Sequence, residues 1–158
     1  MRDLSSARIQ PAASAEVARV GEIADAGVPL PVLLITSPAR LTWPLRLGEH
    51  ADLDASVALV TSAATTTPAG VTIRIGIADE RSFEELFRLP IAAAPGNGSL
   101  VWHPVRIDLG DYSGWKFSLF YRPSRRTWNV IVGVDPTPGG TLAWRALRIQ
   151  AHARKGPT

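Results

Sequence analysis

The stretch "WHPVRIDLGDYSGWKF" (102–117) contains two short runs of alternating apolar residues on either side of a turn signal. The apolar members of these runs are Val105, Ile107 and Leu109, then Trp115 and Phe117. A period of two is typical of β-strands that bury one face. Between the runs, Asp108 is placed to accept hydrogen bonds from turn N–H groups, and Gly114 relaxes the backbone. An aromatic binding platform is the alternative, but the alternation favours two neighbouring strands of a sandwich.

The same period of two runs through most of the chain from Leu41 onward. Alternation covers 41–47, 51–59, 71–77 and 127–134, and further strands are predicted over 83–91 and 141–151. Small and turn-forming residues separate these runs. Seven to nine short strands with almost no helix predict an all-β fold, an antiparallel β-sandwich of jelly-roll type. Pro44 interrupts its run, which suggests an edge strand or a bulge.

The N-terminal residues differ in character from the rest. Only residues 15–26 have a helix-like pattern, and Gly21 interrupts it, so we predict an irregular or short-helical arm. The predicted organisation is an N-terminal arm over 1–27, the jelly-roll sandwich over 28–151 and a flexible tail over 152–158. A chain of 158 residues is long enough to bury one core without disulfides.

Composition excludes several classes of site. The chain has no cysteine, so disulfides, thiolate metal sites and a cysteine nucleophile are excluded. No apolar run reaches the roughly 18 to 20 residues of a membrane span, so no membrane insertion is expected. Nor does the N-terminus carry the apolar segment of a secretory signal. The sequence as it stands predicts a cytoplasmic protein, or an extracytoplasmic one if it is a fragment.

Charge is distributed unevenly along the chain. Residues 1–85 carry 7 basic and 11 acidic groups, whereas residues 86–158 carry 10 basic and 3 acidic groups. Most of the basic residues are arginine, a planar donor suited to carboxylates and phosphates. A basic half is compatible with an anionic polymer. The favoured interpretation is that the two halves interleave in one sandwich and partly neutralise each other. Nucleic-acid binding is not expected, because no RNA- or DNA-binding motif is present.

Enzyme signatures are absent from the sequence, with no GxSxG, P-loop, HExxH or GxGxxG motif. The three histidines lie far apart, and the carboxylates Asp52 and Asp54 share the outward face of one predicted strand. Asp79, Glu80 and Asp135 in loops offer oxygen atoms for a structural Ca²⁺, but without ligand spacing. We therefore predict a non-enzyme with no catalytic residues, no metal site and no cofactor.

Aromatic residues are the best candidates for ligand binding, since flat rings stack on sugar faces and on bases. Trp115 and Trp144 share their strand face with apolar residues and are predicted to lie in the core. Trp128 follows the basic turn "RPSRR" (122–126) and is the best candidate for exposure. The predicted ligand-binding residues are Trp128, Arg122, Arg125, Arg126 and Trp43. Solvation of a hairpin tip is the alternative role for the three arginines.

The order of several motifs resembles a family of bacterial jelly-roll modules. The motifs are "RLTWPL" (40–45), "ADL" (51–53), "GVTIRI" (70–75), "ELF" (85–87), Trp102, "PVRIDLGDYSG" (104–114) and "AWRALRI" (143–149). These modules are carbohydrate-binding-like domains attached to membrane glycosyltransferases, sulfatases and other cell-surface proteins. The final motif departs from the pattern, with Ala146 and Leu147 where the family tends to carry Gly and Pro. The resemblance implies the jelly-roll fold, and it implies sugar binding less directly.

The function predicted from these observations is a non-catalytic accessory module that contacts a glycan or a partner protein. The alternative is a structural or assembly subunit of a larger complex that acts by protein–protein packing. A homo-oligomer is compatible with either function.

Overall fold

The computed structural model describes residues 7–10, 17–47, 51–60, 70–92, 100–112, 127–135 and 140–151. These residues form ten β-strands and one short 3-10 helix, arranged as two antiparallel five-stranded sheets packed face to face. The predicted antiparallel β-sandwich of jelly-roll type is confirmed. No helix among the described residues is long and apolar enough to cross a membrane.

The first sheet, called the front sheet here, has the strand order β1-β4-β9-β6-β7. Its strands are β1 (Arg8–Gln10), β4 (Ala39–Leu45), β6 (Val71–Ala78), β7 (Phe83–Ile91) and β9 (Trp128–Val134). The short β1 covers only Arg40–Thr42 of β4. Pro44 therefore lies beyond the end of β1, where β4 has no neighbouring strand on that side. A proline, which lacks an N–H group, is tolerated at such an edge position.

The second sheet, called the back sheet here, has the strand order β2-β3-β10-β5-β8. Its strands are β2 (Ala18–Asp25), β3 (Val28–Thr36), β5 (Ala51–Val60), β8 (His103–Asp108) and β10 (Thr141–Ala151). Both sheets draw strands from both halves of the chain. Ion pairs join the halves, as in Arg74–Asp135 and Arg106–Asp52, so the interleaving expected from the uneven charge is present.

The core lies between the sheets and consists of the residues that the period of two places inward. Each of these buried apolar side chains stabilises the fold by roughly 1.5–3 kcal/mol. Fully buried examples are Leu41, Leu53, Val57, Val71, Ile73, Ile75, Ile77, Val130, Val132, Leu142 and Trp144. The predicted faces of β4, β5, β6 and β9 are confirmed, and so is the core position of Trp144.

The prediction of a helical or irregular arm over 15–26 is wrong for the described part. Residues Ala18–Asp25 form β2, which pairs with β3 along its whole length. Ala26 and Gly27 join the two strands, both with positive φ (50° and 81°), which is the backbone of a two-residue hairpin turn. Pairing with β3 therefore overrides a weak local helix signal.

The turn after β8 forms as Asp108 predicts. The Asp108 carboxylate accepts a hydrogen bond from the Gly110 N–H at 2.7 Å, and the chain continues as a 3-10 helix over Gly110–Tyr112. Leu109 is buried, and its N–H donates to the carbonyl of Ala51 at 2.7 Å. The strand predicted around Trp115 and the tail predicted over 152–158 lie outside the described residues.

A β-bulge interrupts the last strand, β10. Its register with β5 shifts between Arg145 and Arg148, and Ala146 within the bulge has a φ of 54°. An L-residue with a side chain is strained in this region of φ, whereas glycine is not. Ala146 is the position at which the resembling family tends to carry glycine, so the departure noted in the sequence falls on a strained residue.

Candidate functional site

The outward face of the front sheet carries a groove that crosses its strands. Strand register sets the first row of outward residues, Gln10–Arg40–Gly133–Arg74–Arg88. The next row is Arg8–Thr42–Ile131–Gly76–Glu85. We call this feature the front groove; its volume is about 620 Å³, and its lining includes Arg40, Arg74, Gly76, Phe83, Ile131 and Gly133.

Two glycines keep the floor of the front groove low. A Cβ atom added to Gly133 would meet only the carbonyl oxygen of Arg74, at 3.8 Å, so the space above Gly133 is open. A Cβ atom at Gly76 would come within 2.5 Å of Phe83 Cε2, so the Phe83 ring lies over this glycine. Phe83 is nevertheless 57% exposed. The groove therefore has a bare floor beside a flat apolar ring that faces solvent.

Charged side chains are fixed on the Phe83 side of the groove by ion pairs. Arg74 Nη2 lies 2.7 Å from Asp135 Oδ2, and Arg74 Nη1 lies 3.8 Å from Glu85 Oε2. Arg88 Nε donates to Glu85 Oε1 at 2.8 Å. The hydrogen bond from Arg88 holds the pKa of Glu85 below its usual value. Exposed pairs of this kind add little stability, so their main effect is to hold the groove's polar groups in position.

The backbone of Asp135 is also anchored at the end of the groove. Its N–H donates to the carbonyl of Thr72 at 2.9 Å, and its carbonyl accepts a hydrogen bond from Ser37 Oγ at 2.7 Å. Ser37 is itself buried. The Asp135 carboxylate is therefore held by its backbone as well as by Arg74, and such preorganised polar groups lose little freedom when a ligand binds.

A second compartment continues the front groove across β4 toward β1. It has a volume of about 460 Å³ and shares Gln10, Arg40 and Ile131 with the first compartment. Its remaining lining is mostly polar or small and includes Arg8, Thr42 and Asn129. The five strands of the front sheet span four spacings, roughly 19 Å at about 4.8 Å each. The front groove thus suits an extended ligand laid across the strands.

The outward face of the back sheet is a different environment. Val32, Leu34 and Ala143 are buried there and form a small apolar cluster with Trp102. The Trp102 indole N–H donates to Asp25 Oδ2 at 2.7 Å, and the Arg145 guanidinium lies 4.8 Å from the centre of its ring. One face of the Trp102 ring is therefore covered by Arg145, and its N–H group is hydrogen-bonded to Asp25.

Of the five residues predicted to bind a ligand, Trp43 and Trp128 are among those that the structure describes. Trp43 is only 1% exposed and lies in the core, so the exposed ring that its predicted role requires is absent. Trp128 is partly buried, with its ring edge-on to Tyr112 at a centroid distance of 5.4 Å. Arg122, Arg125 and Arg126 lie outside the described residues, and the binding role of this turn stays a prediction.

The sequence interpretation missed the residues that line the front groove. Phe83 falls in the strand predicted over 83–91, but the exposure of its ring is not among the predictions from sequence. The outward positions of Arg74 and Gly76 follow from the alternation of β6 and are confirmed. The signal that was overlooked is glycine at outward positions of two β-branched strands, Gly76 in "TIRIGI" (72–77) and Gly133 in "VIVGV" (130–134). Glycine inside a strand often marks a site where another group approaches closely.

The carboxylates considered for catalysis or metal binding have other partners. Asp52 and Asp54 share one face, as predicted, and both contact Arg106, at 2.9 and 3.9 Å. Asp79 Oδ1 accepts hydrogen bonds from the N–H groups of Arg81 and Ser82. Over the described residues, no group of three or more histidine, aspartate or glutamate side chains is placed to hold a metal ion.

Comparison with solved structures identifies the type of sandwich. The chain is similar to TmCBM61, a carbohydrate-binding module solved in complex with β-1,4-galactotriose, with a TM-score of 0.58 and 9% identity over 96% of this chain and 92% of that one. It is also similar to part of an exo-β-agarase, with a TM-score of 0.50 and 11% identity. The match covers 94% of this chain but only 23% of the agarase chain.

These similarities show that the chain has the β-sandwich fold of carbohydrate-binding modules. At such low identity they show the fold alone. No protein-family model matches the sequence. No curated protein matches it either.

Proposed function

We propose that the chain is a non-catalytic glycan-binding module and that the glycan lies in the front groove. The observation that carries the proposal is the exposed Phe83 ring beside a bare glycine floor, with Arg74, Glu85 and Asp135 fixed around it. The similarity to a module solved with a bound galactotriose supports the same proposal.

Sugar chemistry suits this groove because a pyranose has apolar C–H faces and a rim of hydroxyl groups. An aromatic ring stacks on the C–H face, while carboxylates accept and guanidinium groups donate hydrogen bonds to the hydroxyls. The groove volume of about 620 Å³ falls within the roughly 300–1,000 Å³ that is usual for ligand sites. An open groove with fixed polar groups also suits a polymer chain that extends beyond the groove at both ends.

The proposal is tested by titration calorimetry against galactan, agarose and a panel of other polysaccharides. Phe83→Ala should weaken binding about tenfold, because one aromatic stacking contact is worth roughly 1–3 kcal/mol. Gly133→Leu should abolish binding, because the leucine side chain would occupy the space above the groove floor. Val28→Ala is the matched control, since Val28 is also 57% exposed but lies on the back sheet.

If Gly133→Leu binds glycan as tightly as the unmodified chain, the front groove is not the binding site. The turn 122–126 with Trp128 is the second place to test, because its binding role was predicted from sequence. Replacing Arg122, Arg125 and Arg126 together by glutamine distinguishes the two sites, since only one set of variants should lose the ligand.

In this proposal the module acts as an accessory domain that brings a partner protein to a glycan, outside the cytoplasm. Membrane glycosyltransferases and sulfatases are the kinds of host that the sequence resemblance implies. The alternative, an assembly subunit that acts by protein packing, predicts a stable oligomer. Light scattering on the purified chain checks this, and a monomer that binds glycan would argue against the assembly function.

A further inference from the structure

We propose that the glycan bound by the front groove is acidic, and that its carboxylate or sulfate group lies above Gly133 between Arg40 and Arg74. This inference rests on the proposed function and adds the chemical class of the ligand. It is based on where the arginines lie in the groove and on which of them are paired with carboxylates.

Strand register places the two arginines on either side of one glycine. Arg40 of β4 and Arg74 of β6 are both register partners of Gly133 in the central strand β9. Their Cα atoms are therefore about two strand spacings apart, roughly 10 Å. No side-chain atom lies within 4 Å of a Cβ atom built on Gly133, and all three residues line the front groove. Two guanidinium groups thus flank a vacant floor position.

The charges of the groove are unequally compensated. Asp135 is engaged by Arg74 at 2.7 Å and Glu85 by Arg88 at 2.8 Å. On the opposite side, no side-chain hydrogen bond or ion pair joins Arg8 or Arg40 to another residue that the structure describes. Among the described residues, the positive charge on the side of the groove formed by β1 and β4 therefore has no ion-pair partner.

Arginine is well suited to hold the proposed group. Its planar guanidinium matches the two oxygens of a carboxylate or sulfate and forms charge-assisted hydrogen bonds with them. A neutral glycan would offer Arg8 and Arg40 only hydroxyl groups, whereas an acidic glycan with its anion above Gly133 would give Arg40 a partner of opposite charge. Arg8 lies on the neighbouring strand β1 and lines the second compartment, where it would meet the next anionic group of the polymer.

Matched pairs of polymers test the inference by calorimetry. Polygalacturonate and its carboxyl-reduced form supply the carboxylate comparison, and dextran sulfate and dextran supply the sulfate comparison. At least one acidic polymer should bind ten times or more tightly than its neutral counterpart. Affinity should fall several-fold between about 50 and about 500 mM NaCl, since salt screens exposed charges.

Variants locate the anion. Arg40→Gln should weaken binding of the acidic polymer about tenfold and weaken binding of the neutral one clearly less, because only the acidic polymer loses a charge-assisted contact. Arg19→Gln removes an exposed arginine of the back sheet and should change neither. Gly133→Leu keeps every charge but should abolish binding, and polyglutamate, an anionic polymer without sugar rings, should not bind.

The outcomes separate the two proposals. Equal affinity for the acidic and neutral polymers of both pairs overturns the acidic class while the glycan-binding function stands. Equal binding of polyglutamate overturns it as well, because charge alone would then explain the attraction. Absence of binding to every polysaccharide overturns the proposed function itself.

Discussion

The ring of Phe83 lies over the Cα of Gly76, at a point where a Cβ atom on residue 76 would come within 2.5 Å of Phe83 Cε2. The two residues lie on neighbouring strands, and the register between β6 and β7 shifts just after Ile75. Such bulges re-aim side chains. The consequence is an aromatic ring that is supported from below by the sheet and open to solvent above.

Replacing Gly76 by alanine should therefore disturb the groove. The new methyl group would contact the Phe83 ring and also the Glu84 carbonyl, which would lie at 2.8 Å. We expect a loss of roughly 1–3 kcal/mol in the free energy of unfolding, together with weaker glycan binding. Gly133→Ala is the control, since its Cβ meets nothing closer than 3.8 Å. Equal stability of the two variants in urea unfolding would contradict the close packing at Gly76.

Relieving the two strained alanines should stabilise the protein. Ala26 and Ala146 have positive φ values of 50° and 54°, which cost an L-residue roughly 1–2 kcal/mol. Ala26→Asn and Ala146→Gly should each raise the free energy of unfolding by about 0.5–1 kcal/mol. Urea titration measures the effect. Ala55→Gly, at a buried position inside β5, should have the opposite sign.

Substitutions of Trp43 test whether this residue stabilises the core or binds a ligand. Its side chain is 1% exposed and faces the core from strand β4, so Trp43→Ala should lower the free energy of unfolding by about 3–5 kcal/mol. The milder Trp43→Phe should remain folded and bind glycan as the unmodified chain does. A Trp43→Phe protein of normal stability that has lost glycan binding would restore the ligand role predicted from the sequence.

Tyr112 should titrate unusually late. Burial of the phenol raises the pKa of Tyr112 to about 12, and the hydrogen bond to the Glu84 carboxylate is the second largest cause. Because the folded pKa lies above the unfolded value of about 10, the neutral phenol stabilises the fold below pH 10. That contribution is lost as pH rises toward 12. Phenolate absorbance followed against pH measures the transition, with Tyr112→Phe to assign it. Glu84→Gln should move the Tyr112 transition to lower pH.

One-sided burial explains which parts of the fold could be predicted from sequence. In β4, β5, β6 and β9 each inward residue meets the same core, so the apolar period appears directly in the sequence. β2 lacks that signal because Val20 faces inward yet is 63% exposed, while Ile23 belongs to the cluster on the outer face of the back sheet. Its strand conformation comes from pairing with β3, which no local pattern reports.

The candidate site depends on register between strands distant in sequence. Arg40, Arg74 and Gly133 become neighbours only when β4, β9 and β6 align, and no spacing in the chain encodes that alignment. The burial of Trp43, by contrast, was available from sequence, because Trp43 has the same parity as the buried Leu41. Strand parity was a better guide to aromatic exposure than residue type.

The position of β10 has a consequence for how the protein acquires its structure. This strand lies between β3 and β5 and is the only described element that joins the β2–β3 pair to the β5–β8 pair. A nascent chain therefore leaves two sheet edges without partners until residues 141–151 have been synthesised. Because these pairings join residues about 80 to 110 positions apart, folding should be slow, in the range of milliseconds to seconds, and the back sheet should be completed only after residues 141–151 have been synthesised. Until then the exposed edges are open to pairing with other chains, so expression yield should respond strongly to substitutions in β10.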